Sequence, residues 1–517
     1  MILVLLLADV PAGAQQRGGL RSSRFALRDG AAQSLPRVLG PRVIKNTRSG
    51  NTARFMVGGQ YRSSRTVDRV IDPTSGKQLM RVYASSRKDV VDAIGMADAA
   101  RGQTAALSRQ QRAKILRSVA TQIKSRKSEL AQVMALEAGK PLSDALVEVD
   151  RAVSTFRLAA REAMKLKPRV ESTPGGKMMV ERSPIGVISA ITPFNFPLNL
   201  VAHKVAPAIA SGNPVVIKPS PRTPMTALLL AEMITKTPWP KEAISVVTPR
   251  VSNIAPLIKD RRVKMVSFTG SETVGWKIKK QVPDKRVTLE LGGNAALVVH
   301  SDADLKDAVK KAVRGSFAYS GQVCISTQRI MVHDSLYPKF VKEFVKQTRQ
   351  LKMGDPLSSS TAIGPMIDRA AVARTQAWLK EATAGGAKVL AGGKARGNFM
   401  EPTVVVGARP TDRIVKDEAF APVVVISKYK TLDSALKQVN NSRFGLQAGI
   451  FTRSQSVIDK AFRTLEVGGL VVNHVPTVRF DSQPYGGIKR SGSGREGPRY
   501  AVEEMTEPKA LLMPGLR

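Results

Sequence analysis

The chain contains one cysteine, Cys324, in S-G-Q-V-C-I-S (Ser320 to Ser326). Upstream, V-T-L-E-L-G-G-N (Val287 to Asn294) carries Glu290. A thiolate attacks a carbonyl carbon, and a carboxylate can activate the water that later releases the product. A lone free cysteine is ordinarily a small buried hydrophobe. Gly-Gln before Cys324 and Ile-Ser after it instead describe a shaped turn. A third group stands in T-P-F-N-F-P (Thr192 to Pro197), where the Asn195 amide could donate to an oxyanion. Taken alone, an Asn between two prolines is an ordinary turn residue.

Nucleotide-binding signals are less direct. The one literal G-x-G-x-x-G, at Gly492, Gly494 and Gly497, is a decoy, because the chain ends too soon after it for a crossover helix and strand. S-F-T-G-S-E-T-V-G (Ser267 to Gly275) is the better phosphate site. There a buried strand turns at Gly270 into a helix whose free N–H groups, with the Ser271 hydroxyl, favour an anion. Gly-Ser at a helix start is also an ordinary cap. Lys218 closes P-V-V-I-K-P, at the carboxyl end of a strand, where ligand crevices form in α/β sheets. A surface lysine beyond a buried strand is the plain alternative.

The elements that must position these residues alternate. The stretch from Lys88 to Gly139 is helical by pattern, with Ile115, Val119, Ile123 and Leu130 on one face and Gly139 placed to stop it. A charged helical stretch continues to Lys167 and breaks at Pro168 and Gly175-Gly176. Strands are predicted at 185–192, 214–219, 243–247 and 263–268, with helices at 198–210 and 224–235. This β-α-β-α order implies a mainly parallel sheet covered on both faces. A second α/β run extends from Asn294 to about Gly494.

The length suits two or three domains, and 43% hydrophobic with 24% charged residues is ordinary for a globular protein. One cysteine excludes an intramolecular disulfide framework and suits a reducing compartment. Four scattered histidines offer no metal-ligand spacing, so no metal is expected. The net charge of +40 is unusual. The basic residues are spread along the whole chain without interleaved aromatics, so a solvated surface is expected rather than a nucleic-acid partner.

Residues 1–55 differ from the rest. An apolar run near Met1 is too short to span a bilayer and lacks the positive segment of a secretory signal. Arg17 to Arg54 is Arg- and Ser-rich like a transit peptide. Residues 1–55 carry a net +7, leaving +33 to the remainder. The preferred reading places the true start at Met56. A cytoplasmic location is then expected, with organellar import through residues 1–55 as the alternative.

Four segments in order, T-P-F-N-F-P, F-T-G-S-x-x-x-G, L-E-L-G-G-N and G-Q-V-C, resemble the aldehyde dehydrogenase superfamily. D-E-A-F-A-P-V-V (Asp417 to Val424) and P-Y-G-G-I-K-R-S-G-S-G-R-E-G (Pro484 to Gly497) extend the resemblance, which covers about Met56 to Met513. It implies an α/β fold with a Rossmann-like cofactor domain (56–166 and 185–291), a catalytic α/β domain (292–505), and a small bridging β element (167–184 and 506–517). Exposed strands of that element would pair subunits into a homodimer or homotetramer. The resemblance makes Cys324 the nucleophile, Asn195 and the Cys324 N–H the oxyanion donors, and Glu290 the general base. It implies an NAD or NADP site lined by Thr192, Pro193, Phe194, Lys218, Ser220, Arg222, Gly270, Ser271, Gly275, Leu291, Gly292, Glu418 and Phe420. Many NAD-preferring relatives carry a Glu where Pro221 stands here, followed by Arg222. An Arg could pair with a 2′-phosphate, so NADP is at least as plausible as NAD. Ala421 replaces the commoner Gly of the E-x-F-G-P element.

The resemblance implies CoA-independent oxidation of a small polar aldehyde to its acid, because Glu290 is present where CoA-acylating relatives generally lack it. The pattern is nearest the lactaldehyde and non-phosphorylating glyceraldehyde-phosphate branch. Succinate semialdehyde and phospho- or phosphonoaldehydes stay open, although Val323 stands where a phosphonate-binding relative would place an Arg. Outside enzymology, the alternative is a polyanion-binding role for the basic surface.

Overall fold

The computed structural model describes residues 35, 37–47 and 50–514. Its first large sheet has eight strands in the order Gly492–Ser493, Arg286–Glu290, Val263–Thr269, Val187–Ile191, Val215–Lys218, Ile244–Val246, Phe55–Val57, Gln60–Arg62. The five from Arg286–Glu290 to Ile244–Val246 run parallel. Successive side chains on a strand point to opposite faces, so a sheet covered on both sides needs apolar residues at every position. Val215 and Ile217 enter one hydrophobic core while Val216 enters the other.

The helical stretch to Gly139 is four helices rather than one: Arg87–Ala99, Arg101–Ala106, Arg109–Ser125 and Lys127–Ala138. Ser108 restarts the pattern, since its hydroxyl accepts the Gln111 N–H and the Gln111 side chain returns to the Ser108 N–H. Ile115, Val119 and Ile123 are buried on one helix and Leu130 on the next. Gly139 ends the last of them in the left-handed region, at φ 65°.

The second sheet has seven strands, Lys388–Ala391, Thr403–Val406, Val423–Tyr429, Arg329–His333, Ala296–Val299, Gln447–Phe451 and Gly469–Val472, all parallel but the first. A third sheet joins Thr506–Pro514, Gly176–Pro184 and Arg169–Thr173 antiparallel, turning at Gly175-Gly176. Leu511 and Leu512 on it are exposed.

Around Met56, Phe55–Val57 is one strand, Gly50–Ala53 pairs with Gln78–Tyr83, and Leu35, Leu39 and Val43 are buried in the same core as Ile188. Apolar side chains in an Arg-rich segment found a face to cover. The targeting readings of residues 1–34 lie outside the described residues. Near the carboxyl end, Gly492–Ser493 joins the first sheet, and Val502 and Met505 enter the core of Ile188.

Candidate active site

The loop before Cys324 is the most constrained backbone near the site. Tyr319, Ser320 and Gly321 lie in succession at φ 47°, 55° and 69°. Left-handed conformation disfavours non-glycine residues, so it persists only where neighbours hold it. Asp144 accepts the Tyr319 N–H at 3.1 Å, and the Ser320 hydroxyl donates to the Gly364 carbonyl at 2.7 Å. The Gln322 side chain accepts the Ile367 N–H at 2.8 Å. At Gly321 a side chain would meet the Ala421 carbonyl. Buried Asn195 donates its amide to the Gln322 carbonyl at 2.9 Å, which ties the T-P-F-N-F-P loop to the cysteine loop.

Cys324 is half-buried, and its Sγ lies 2.9 Å from the Tyr485 hydroxyl. Burial pushes the thiol up to about 11, the Tyr485 hydrogen bond and the Arg479 charge oppose this, and the Glu418 and Glu290 carboxylates add to it. The Arg479 guanidinium stacks 3.6 Å from the centre of the Tyr485 ring. It also donates to Glu496 at 3.3 Å, and Glu496 accepts from buried Lys204 at 2.7 Å.

Glu290 ends the strand Arg286–Glu290, and among the described residues both of its buried oxygens lack a hydrogen-bond partner. Burial raises its carboxyl well above the ordinary range, and the Glu496 charge raises it further against Arg479, Lys204 and Arg495. Burial also works on Glu496, but Lys204 and Arg479 outweigh it and hold that carboxylate at about 2. The decoy glycines serve this strand: Gly492 pairs with Glu290, and a side chain there would strike the Leu289 carbonyl.

The cleft at the carboxyl ends of the first sheet suits a dinucleotide. Thr192 and Thr269 carry buried hydroxyls without partners. Side chains at Gly270, Gly275 and Gly292 would overlap Phe268, Leu291 and Glu418 respectively, so backbone can approach a ligand there. Ser271 precedes the helix Glu272–Gln281, and its hydroxyl makes no capping bond, which leaves it free for a phosphate. Burial lowers Lys218 to about 8, and no acidic partner faces it among the described residues. Ser220 accepts the Arg222 N–H at 3.1 Å, while the Arg222 guanidinium is engaged by Asp368 at 2.7 Å. Glu418 accepts the Gly293 N–H at 3.0 Å, and burial raises its carboxyl to about 7. Phe420, at φ 48°, meets Phe194 edge-on with ring centres 5.9 Å apart, beside half-buried Pro193. A small cavity lined by Gly293, Val323, Glu418 and Phe420 adjoins Cys324. Another cavity, of about 490 Å³, lies away from this chemistry beside the third sheet, between Lys165, Arg169, Arg182 and Arg499.

The structure joins the Asn195 loop to the Cys324 loop and places Glu418 and Phe420 beside Val323 in one small cavity, while Lys218, Thr269 and Glu290 stand at the carboxyl ends of the first sheet's strands. Reasoning from sequence did not single out Tyr485, Arg479, Lys204 or Glu496. Lys204 left a legible signal, a cation inside N-L-V-A-H-K-V-A-P-A-I-A, where burial demands a partner. Among the described residues no helix is long and apolar enough to cross a membrane, and no His, Cys, Asp and Glu group gathers to hold a metal.

Residues 61–511 match the model of the aldehyde dehydrogenase family. The chain belongs to that family. It is 39% identical over 464 residues to a 3-sulfolactaldehyde dehydrogenase of Priestia aryabhattai, covering 88% of this chain and 97% of that one. Among solved structures it resembles aldehyde dehydrogenase 21 from Physcomitrella patens in complex with the reaction product succinate, with a TM-score of 0.88, 39% identity, and 90% of this chain and 98% of that one covered. It also resembles the glyceraldehyde-3-phosphate dehydrogenase GapN from Methanocaldococcus jannaschii complexed with NADP, with a TM-score of 0.85, 37% identity, and 87% and 100% covered. The protein is an NAD(P)-dependent aldehyde dehydrogenase.

Proposed function

We propose that this dehydrogenase oxidises a short aldehyde bearing an anionic tail, with Cys324 as nucleophile and Glu290 as base. The observation that carries the mechanism is the Glu290 carboxyl, buried with both oxygens unpartnered and close enough to raise the Cys324 thiol. An unsatisfied buried carboxyl is costly, so its retention implies a ligand that uses it. Cys324 attacks the aldehyde carbon, and the Asn195 amide and Cys324 N–H receive the oxyanion. NAD(P) bound in the cleft supplies the hydride acceptor. Glu290 then takes a proton from water, which cleaves the Cys324 thioester and releases the acid. The Lys204–Glu496 pair beneath Glu290 sets the charge it titrates against.

The substrate reading rests on charge at the reacting end. Arg479 is buried beside Tyr485 with its Nε unpartnered, and Arg151 lies near it through Asp481, at 2.8 Å. Together they favour a sulfonate, carboxylate or phosphate tail, in keeping with the sulfolactaldehyde, succinate and glyceraldehyde-phosphate in the names of the three relatives. At the cofactor end, Lys218, Ser220, Arg222, Gly270 and Ser271 would hold the adenosine and phosphates, and Glu418 and Phe420 the nicotinamide ribose and ring. The exposed third sheet supports pairing of subunits through its edge. A single cysteine suits a reducing compartment such as the cytoplasm.

The test is NAD(P)H formation with lactaldehyde, 3-sulfolactaldehyde, glyceraldehyde 3-phosphate, succinate semialdehyde and benzaldehyde, each with and without CoA. CoA-independent turnover led by an anionic aldehyde is expected, with Cys324→Ala silent. A preference for benzaldehyde would overturn the anionic-tail reading. Turnover by Cys324→Ala would overturn the nucleophile.

A further inference from the structure

We infer that Tyr485 is a catalytic residue, whose phenol donates a hydrogen bond to the Cys324 sulfur and stabilises the thiolate before it attacks. This rests on Cys324 being the nucleophile. Three observations carry it. The Tyr485 oxygen and the Cys324 Sγ are 2.9 Å apart, a short separation for a bond to sulfur. The Tyr485 side chain is buried, and it packs with Ile325 and Leu446 against Val323 and Cys324, so the phenol is held on the sulfur by packing on both sides. The Arg479 guanidinium lies 3.6 Å from the centre of the ring and places a positive charge against the face of the group that donates.

The direction of the bond follows from proton affinities. A phenol is ordinarily a weaker acid than a thiol, and burial raises the Tyr485 phenol in the same direction as it raises Cys324. A protonated phenol beside a thiolate can only donate. The charges facing the sulfur come from several elements. Glu290 stands at the end of its strand and Glu418 on the loop after Lys416, and both oppose the thiolate. Arg479, on the segment leading to Tyr485, favours it. Glu496 and Lys204 lie behind Arg479 and Glu290 and largely satisfy one another. No other side chain makes a hydrogen bond to Sγ among the described residues. Tyr485 is therefore the donor that offsets burial of a sulfur which must ionise. Once the sulfur is acylated it carries no charge, and the interaction loses most of its strength. That is the dependence expected of a group that favours the attacking state over the thioester.

The experiment compares Tyr485→Phe with the unsubstituted protein by the pH dependence of iodoacetamide alkylation, supported by thiolate absorbance near 240 nm referenced to Cys324→Ala. Phe keeps the ring, its packing and the Arg479 stack, and removes only the hydroxyl. The expected result is an apparent thiol pKa raised by about one unit and alkylation near neutral pH slowed about tenfold. NADPH binding, read by fluorescence, should be unchanged. An identical pH profile in the two proteins overturns the proposal. If Tyr485→Phe does not fold, Tyr485→Leu also removes the hydroxyl without adding a donor or volume, and the same comparison applies. Alkylation of the unsubstituted protein must also stop turnover. If it does not, the nucleophile assignment falls, and with it the role of Tyr485.

Discussion

The Lys140 ammonium lies 3.7 Å from the centre of the Phe196 ring and 4.5 Å from that of Tyr319. Phe196 adjoins Asn195, and Tyr319 opens the loop that carries Cys324. One buried cation therefore braces both the Asn195 segment and the Cys324 loop, the two segments proposed to present oxyanion donors. Its counter-ion Glu148 also accepts the Leu198 and Asn199 N–H groups, at 2.9 and 3.0 Å, and caps the helix Asn199–Ser211. Breaking such a pair leaves a buried charge uncompensated, at a cost of about 3–5 kcal/mol. Lys140→Met should lower the melting temperature and reduce kcat about tenfold or more, because misplacing an oxyanion donor weakens the transition state. Calorimetry with steady-state kinetics checks this, and Lys140→Met paired with Glu148→Gln should regain stability before activity.

Glu290→Gln should acylate and then stall. The amide cannot take a proton from water, so rapid mixing should show a stoichiometric burst of reduced cofactor followed by slow turnover. Steady turnover at the unsubstituted rate would move the base role elsewhere.

The pH dependence has a definite sign. Burial raises the Glu290 carboxyl, which must be ionised to act as a base, so deacylation gains as pH rises through that raised value. Burial likewise holds the Cys324 thiol up to about 11, so the thiolate fraction grows through the neutral and alkaline range. At saturating cofactor, kcat, which includes deacylation, and kcat/KM, which reports the thiol, should both climb from about pH 6 to about pH 9. A maximum near pH 6 would contradict both shifts.

Arg222 bears on cofactor choice only when Asp368 releases it. The pair is half-exposed, and such pairs contribute about 0–1 kcal/mol. Asp368→Asn should therefore tighten NADPH binding by up to about fivefold and leave NADH unchanged, measured by fluorescence titration. Equal gains for both cofactors would mean that Arg222 does not meet the 2′-phosphate.

Leu511 and Leu512 are exposed on the edge strand Thr506–Pro514, at 51% and 67% of their full area. Changing both to Asp should shift the protein toward monomer in sedimentation and leave helix content unchanged. An unaltered sedimentation profile would remove this edge from the subunit interface.

The sequence by itself determined the parallel sheet, because runs such as Val215-Val216-Ile217 are apolar at every position and suit burial on both faces. It likewise marked Cys324, Glu290 and Asn195, since each sits in a short segment whose glycines and prolines constrain the local backbone. Gly492, Gly494 and Gly497 match a phosphate-loop pattern in the sequence, and their actual partner, the strand that ends at Glu290, was not legible there. The rest was decided by contacts between residues far apart in the chain. Tyr485 reaches Cys324, and Lys204 reaches Glu496, across separations that carry no local pattern. Leu35, Leu39 and Val43 look like part of a basic tail until the core of the first sheet covers them. Local chemistry is written in neighbouring residues. Burial, charge pairing and the ionisation that follows from them exist only after the chain has closed around them.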